Sequence, residues 1–525
     1  MADGTIAFVL NAHLPFVRHP AHEDFLEERW LFEAITETYI PLLEVLGSLD
    51  RDAIPTRLTL SLSPTLLGQL SDPLLQARYL RHLDRQVELS EKEVRRTRPD
   101  ASLRRLAEMY LARFYRARAV FIDEWQQDLI AAFRAYQQRG LVDLITSAAT
   151  HGLLPLLGTA PGTVRAQIEV ATAEHQRFFG RLVDGFWLPQ CAFEPGIDAE
   201  LARAGVRYTV VDAHAIAYAT PRPIYGVYAP IVCDSGVAVF GHDPDAAKQV
   251  LGMHEGYPLD PAYRDFRRDI GFDLDPDYLR PYLPPTGQRV QTGFKYFRNG
   301  VRRDGAEHYD PERAREQARR HADHWVATRQ RQMAWLARSM DRPPVLVSAF
   351  DAELFGRWWF EGPSWLEQVL RRIAAAPGLR TATPGDELRE RPSVQRATPA
   401  ASSWSSGGHL EPWLGARNDW VNRHVHATAE RLRALCQGYP SAGDLTRRAL
   451  TQAARELLLA QASDWPLLMS KDETAEYATR RTRDHLLRCQ RLCTEVEQDD
   501  VNEPRLAALE DADNIFPSLD YRVFL

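Results

Sequence analysis

Long apolar runs, positive charge and cysteine are what this 525-residue sequence has least of. It contains no run of about 18 apolar residues, so no membrane-spanning helix and no membrane partner are expected. Acidic residues outnumber basic ones, 71 to 64, for a net charge of -7. That balance offers no footprint for a nucleic-acid partner. The five cysteines (Cys191, Cys233, Cys436, Cys489 and Cys493) are scattered and odd in number. They predict reduced thiols and a cytoplasmic setting rather than a disulfide framework. Cys489 and Cys493 fall one helical turn apart, but zinc needs further ligands nearby, so they read as packing residues. The opening Met1-Ala2-Asp3-Gly4 has neither the basic nor the apolar region of a secretory signal, and none is expected. No strand is followed by a Gly-rich phosphate-binding turn. Internal repeats are absent. Lysine is rare beside arginine, which reflects genome composition more than function.

What is present is ordinary globular composition, 45% hydrophobic and 26% charged, enough for two or three domains. Short apolar, β-branched runs read as buried strands at 5–10, 58–63, 142–147, 186–191, 207–212 and 345–350, with helical segments between them. Strands alternating with helices argue for an α/β fold with a parallel sheet. Polar residues stand at nearly every strand end, which favours a closed barrel over a doubly wound sheet. Residues 70–139 are charged, helical and strandless, and read as an inserted helical lobe. Residues 217–300, rich in Tyr, Pro and Gly, read as long loops with a mobile flap at 231–240. The expected division is a catalytic barrel at 1–69 and 140–380, the lobe at 70–139, a Pro/Ser/Thr-rich connector at 381–408 and a C-terminal α-helical domain at 409–525. In the last, helices are expected at 418–437, 444–462 and 474–496.

The stretch at 345–356 organises the rest. A buried strand delivers Asp351 and Glu353 to its C-terminal end, Gly356 closes the turn, and Trp358, Trp359 and Phe360 follow. Carboxylates beside aromatic faces suit sugar rings, which present both C–H surface and hydroxyls. The other strand ends carry His13, His151, Gln190, Asp212 and His214. Two chemistries fit this set. One is retaining glycoside chemistry, with two carboxyl groups about 5 Å apart. The other is a metal-dependent hydrolase, of polysaccharide deacetylase type, with His13, Asp212 and His214 as ligands.

Several motifs together resemble glycoside hydrolase family 57, and within it the α-1,4-glucan branching enzymes. They are Ala12-His13-Leu14-Pro15-Phe16-Val17-Arg18-His19-Pro20, Glu27-Glu28-Arg29-Trp30-Leu31-Phe32-Glu33, Ala149-Thr150-His151-Gly152, Trp187-Leu188-Pro189-Gln190-Cys191-Ala192-Phe193 and the Asp351 stretch. Ser403-Trp404, Trp413, Asn418-Asp419-Trp420 and the run from Glu456 to Pro466 extend the resemblance into the tail. It implies a (β/α)7 barrel, no metal or organic cofactor, and an α-glucan as partner. It also implies double displacement, in which an α-1,4 link is cleaved and the fragment passes to a 6-hydroxyl. Asp351 falls on the acid/base position. His13 and His151 would bond glucose hydroxyls, Trp30, Trp404 and Trp413 would stack on sugar, and Arg264 and Asp464 would supply polar contacts. Gln461 and Trp465 fit a glucan contact and a capping or interdomain role equally. Monomer and homo-oligomer are both compatible.

The largest departure is Gln190, where the family nucleophile is a Glu. An amide is a poor nucleophile and carries no charge to stabilise an oxocarbenium ion. The chain is therefore expected to be silent, either as a substituted form or as a protein that binds glucan without turnover. Glu194 lies past the strand end and is not expected to replace the missing carboxylate. Arg357 stands where subgroup members often carry His. The 231–236 loop lacks the aromatic residue of family branching enzymes, which puts transfer against hydrolysis in question.

Overall fold

The structure is a computed structural model that describes residues 4–252, 255–284, 286–300, 307–391, 394–405, 407–471 and 474–525. Residues 1–3 of the opening stretch and 392, 393 and 406 of the expected connector lie outside these.

Ten strands are present among the described residues: β1 (Gly4–Ala12), β2 (Leu58–Leu62), β3 (Val142–Ser147), β4 (Gly185–Trp187), β5 (Tyr208–Val211), β6 (Ile231–Val232), β7 (Ala238–Gly241), β8 (Val345–Asp351), β9 (Leu379–Thr381) and β10 (Gln395–Arg396). Seven of them run parallel in the order β7-β5-β4-β3-β2-β1-β8. A parallel bridge from His242 to Val347, with the Asp243 N–H donating to the Val347 carbonyl at 2.9 Å, joins β7 to β8 and brings the two ends together. This is the expected (β/α)7 barrel, with one bridge in place of its last ladder. All nine residues of β1 are buried, as a parallel strand covered on both faces requires. Ile6, Phe8 and Leu10 face a core shared with lobe residues Tyr79, Leu106 and Tyr110. Ala7 and Val9 face a second core shared with tail residues Leu457, Cys489 and Phe516. Lobe and tail are thus packed into the barrel rather than hung from it.

The lobe holds helices Pro73–Arg96, Ala101–Ala119 and Leu129–Gln138. Each starts at an aspartate (Asp72, Asp100, Asp128) whose carboxylate accepts a first-turn N–H. The tail has the three expected helices, at Trp420–Gly438, Asp444–Ala460 and Ala475–Glu497. Shorter ones follow at Asp464–Met469 and Glu503–Ala512. All five cysteines are buried and unpaired. No helix among the described residues is long and apolar enough to cross a membrane.

One expectation is corrected. The 231–240 flap is a β6–β7 hairpin whose second strand is part of the barrel sheet. The 381–408 stretch carries regular structure. It holds helix Pro384–Glu390, closed by a Thr383–Asp386 capping box, and β10, which pairs with β6. The helix that starts at Arg29 runs on to Arg51 and contains a π-turn at Ile35–Tyr39. Pro41 does not stop it because the proline lies in the first turn of the last segment, where its missing N–H costs little.

Candidate active site

The site is built where β1, β3, β4 and β8 end. Asn11 of β1 lies in register with Asp351 of β8, so both polar side chains reach the same edge. Asn11 Nδ2 donates to Asp351 Oδ1 at 3.4 Å and sits 3.5 Å from His151 Nε2. Burial raises the Asp351 carboxyl above the usual carboxylate range, and the nearby Asp464 charge adds to this. The Asn11 bond and His13 pull the other way. A carboxyl so raised suits a group that must give up a proton.

Beyond Asp351, the turn Ala352–Leu354 buries Glu353. The Glu353 carboxylate accepts from the His13 backbone N–H at 3.2 Å and from the Tyr39 hydroxyl on the π-turn. Burial pushes it up to about 7. Gly356 follows with φ 113°. A Cβ there would meet the Glu37 carbonyl at 1.7 Å, so only glycine lets this turn seat on the π-turn. π-turns recur at functional sites, and this one supplies Tyr39.

Gln190 follows β4 in a left-handed conformation (φ 58°, ψ 25°), as does His151 after β3 (φ 56°). Such backbone costs about 1–3 kcal/mol per residue and clusters where side chains are aimed for function. Trp404 holds Gln190 twice. Its backbone N–H donates to the Gln190 carbonyl at 2.9 Å, and its indole N–H donates to Oε1 at 2.7 Å. An indole only donates, so the oxygen of the amide must face it. The amide nitrogen is left as the end that can meet a ligand.

His13 and His151 stack with centroids 3.8 Å apart and planes 8° from parallel. His13 pairs through Nδ1 with Ser63 Oγ and through Nε2 with Asp464 Oδ2, both at 2.9 Å. His151 Nδ1 lies 3.2 Å from Ser463 Oγ. Burial, with the neighbouring His13, drives His151 well below the ordinary histidine range, so it is neutral.

These groups open on one cleft of about 750 Å³. His13, Trp30, His151, Gln190, Asp351 and Asp464 all line it. Positions 190 and 351, far apart in sequence, therefore share one cavity. Glu194 lines a different groove, with Gly158 and Arg165.

Three expected contacts fall elsewhere. Arg264 does not line the cleft. Its guanidinium is buried between the Tyr110 hydroxyl at 3.0 Å, Glu37 at 3.5 Å and the face of Phe360 at 4.0 Å. Trp413 is 3% exposed, and its indole donates to the Ser463 carbonyl at 2.8 Å, so it braces the tail turn. Trp404 stands behind Gln190 with its ring edge-on to Trp187. Gln461 accepts from Gln167 at 2.9 Å, and Trp465 is fully buried. The metal alternative loses its ligand set. His13 is engaged by Ser63 and Asp464, while Asp212 caps the next helix and bonds His214 at 2.9 Å. Among the described residues, the acceptor atoms of His13, Asp212 and His214 do not converge to within metal-binding range.

Asn11, Phe266, Gln291, Ser463 and Lys471 line the cleft and were not singled out from sequence. Asn11 was within reach, since it sits two residues before His13 and shares its strand face. Trp358 and Arg357 also line it. Trp358 is 44% exposed, whereas the adjacent Trp359 is 1% exposed. Arg357 is held by Glu33 at 3.1 Å.

A barrel with carboxyl, amide, imidazole and indole groups around one open cleft defines a carbohydrate-active type of site. Comparison with known proteins places it. Residues 7–398 match the model of glycosyl hydrolase family 57, and residues 424–524 match that of the 1,4-alpha-glucan branching enzyme C-terminal region. The chain belongs to glycosyl hydrolase family 57. A 1,4-alpha-glucan branching enzyme of Thermococcus kodakarensis is 31% identical over 98% of this chain and 77% of its own. The crystal structure of the alpha-amylase AmyC from Thermotoga maritima superposes with a TM-score of 0.93 at 39% identity, covering 100% of this chain and 99% of AmyC. The branching enzyme of Pyrococcus horikoshii gives 0.89 at 29% identity, covering 100% and 97%.

Proposed function

We propose that the cleft binds an α-1,4 glucan across Gln190 and Asp351, and that the underlying chemistry is glucan branching by double displacement. In that scheme Asp351 protonates the leaving oxygen and later takes the proton of the incoming 6-hydroxyl. A carboxylate at position 190 would hold the glycosyl fragment. In this chain the amide at 190 leaves the second role unfilled, so it binds glucan without turnover. The observation that carries this reading is the shared cleft of Gln190 and Asp351, with Trp404 clamping the amide oxygen.

Gln190→Glu should restore activity. Glu is nearly isosteric, and one carboxylate oxygen keeps the indole bond. A carboxylate about 3.3 Å from a developing positive charge contributes about 5 kcal/mol at an effective dielectric of about 20. That is a rate gain of about 10³–10⁴, before any covalent contribution. The product test is the appearance of α-1,6 linkages on amylose. New reducing ends without α-1,6 linkages would instead favour the second reading, an α-glucan hydrolase. That reading draws on the similarity to AmyC. If Gln190→Glu stays inert while still binding glucan, the assignment of position 190 is wrong.

A further inference from the structure

One turn of the tail reaches the strand ends that carry the site. Gln461, Ser463 and Asp464 follow helix Asp444–Ala460; Gln461 accepts from Gln167 on helix Thr163–Phe179, whereas Ser463 and Asp464 bond His151 and His13, which follow strand ends. Donor chemistry settles where the protons are. A carboxylate only accepts, so His13 carries its hydrogen on Nε2, toward Asp464, and its Nδ1 accepts from the Ser63 hydroxyl. The Asn11 nitrogen only donates, so His151 Nε2 accepts and its hydrogen sits on Nδ1, toward Ser463. That same Asn11 nitrogen donates to Asp351. The two imidazoles lie in parallel contact, so a tilt of one displaces the other. A continuous set of contacts therefore runs from the tail turn through His13, His151 and Asn11 to Asp351.

We infer that Asp464 is a positioning residue: held by the tail, it fixes the stacked histidines, and through them the acid/base Asp351. The inference rests on reading Asp351 as the acid/base. Both ring nitrogens of His13 are occupied, so its part here is structural support of the cleft floor rather than bonding to sugar hydroxyls. The titratable groups that face Asp351 are His13, His151, Cys191, Glu353 and Asp464. Among them Asp464 alone comes from the tail. Its negative charge raises the proton affinity of Asp351. Removing that charge lowers it, so Asp351 loses its proton at a lower pH.

The test uses full-length Gln190→Glu protein with Asp464→Asn or Asp464→Glu added. Asp464→Asn should lower kcat by about 10²-fold, the usual cost of a misplacement of about 1 Å, and leave KM little changed. The alkaline limb of its pH–rate profile should move to lower pH, and Asp464→Glu should recover both. A rise in KM with kcat and the alkaline limb unmoved would overturn the inference and make Asp464 a plain sugar contact. A second measurement needs no turnover. Nitrogen-15 NMR of the unaltered chain should show hydrogen on Nε2 of His13 and on Nδ1 of His151, and Asp464→Asn should disturb both rings. Opposite tautomers, or rings indifferent to Asp464→Asn, would overturn it. An inert Gln190→Glu protein with the assigned tautomers intact would instead strike the reading of the reaction and leave the positioning contacts standing.

Discussion

Glu353→Gln should change how the stability of this protein depends on pH. Burial lifts the folded carboxyl from 4.5 to about 7. Between those values the folded chain keeps a proton that the unfolded chain sheds. The stability this gives is fully present below 4.5 and is lost as pH rises through about 7. At about 1.4 kcal/mol per unit, the loss is about 3 kcal/mol. Glutamine is isosteric, keeps a carbonyl to accept from Tyr39 and from the His13 N–H, and has no proton to lose. Urea unfolding of both proteins from about pH 5 to about pH 8 provides the assay, because their difference cancels every other titrating group. The variant should gain on the parent as pH rises, by about 3 kcal/mol across the range. Parallel curves would refute the buried, proton-holding carboxyl.

Trp404→Phe, made in the Gln190→Glu protein, removes the indole donor that aims position 190. It should lower kcat by about 10²-fold with KM almost unchanged in steady-state kinetics on amylose. A rise in KM alone would restore the stacking role expected from sequence. Arg264→Met removes the buried guanidinium's bonds to Tyr110 and to the half-buried Glu37 and should destabilise the protein by about 1–3 kcal/mol in urea unfolding. Glucan affinity of the folded protein should be unchanged in calorimetry, since Arg264 is buried and does not line the cleft.

Where the sequence was readable, one physical rule decided the outcome. β8 spans Val345–Asp351 as expected because a β-branched run bounded by Pro343-Pro344 and a polar terminus has few other places to lie. His13, His151, Gln190 and Asp351 were legible as strand-end residues, since a parallel barrel gathers its strand ends on one rim. The fate of each aromatic ring was not legible. Trp358 and Trp359 are neighbours of the same type, yet one faces the cleft and the other the core. Long-range partners decided this, as they did for Arg264, whose Tyr110 and Glu37 come from the lobe and the π-turn. The 231–240 segment was misread as a flap because a short hairpin completing a barrel has the same Gly- and Ser-bearing turn as a surface loop.

The proposed reaction requires one glucan to span Gln190 and Asp351. A crystal of the unaltered chain soaked with a maltooligosaccharide tests it most directly. An intact sugar chain should lie in the cleft, with an anomeric carbon facing the Gln190 amide nitrogen and its glycosidic oxygen facing Asp351. An oligosaccharide bound elsewhere, with the space between positions 190 and 351 empty of sugar, would contradict it.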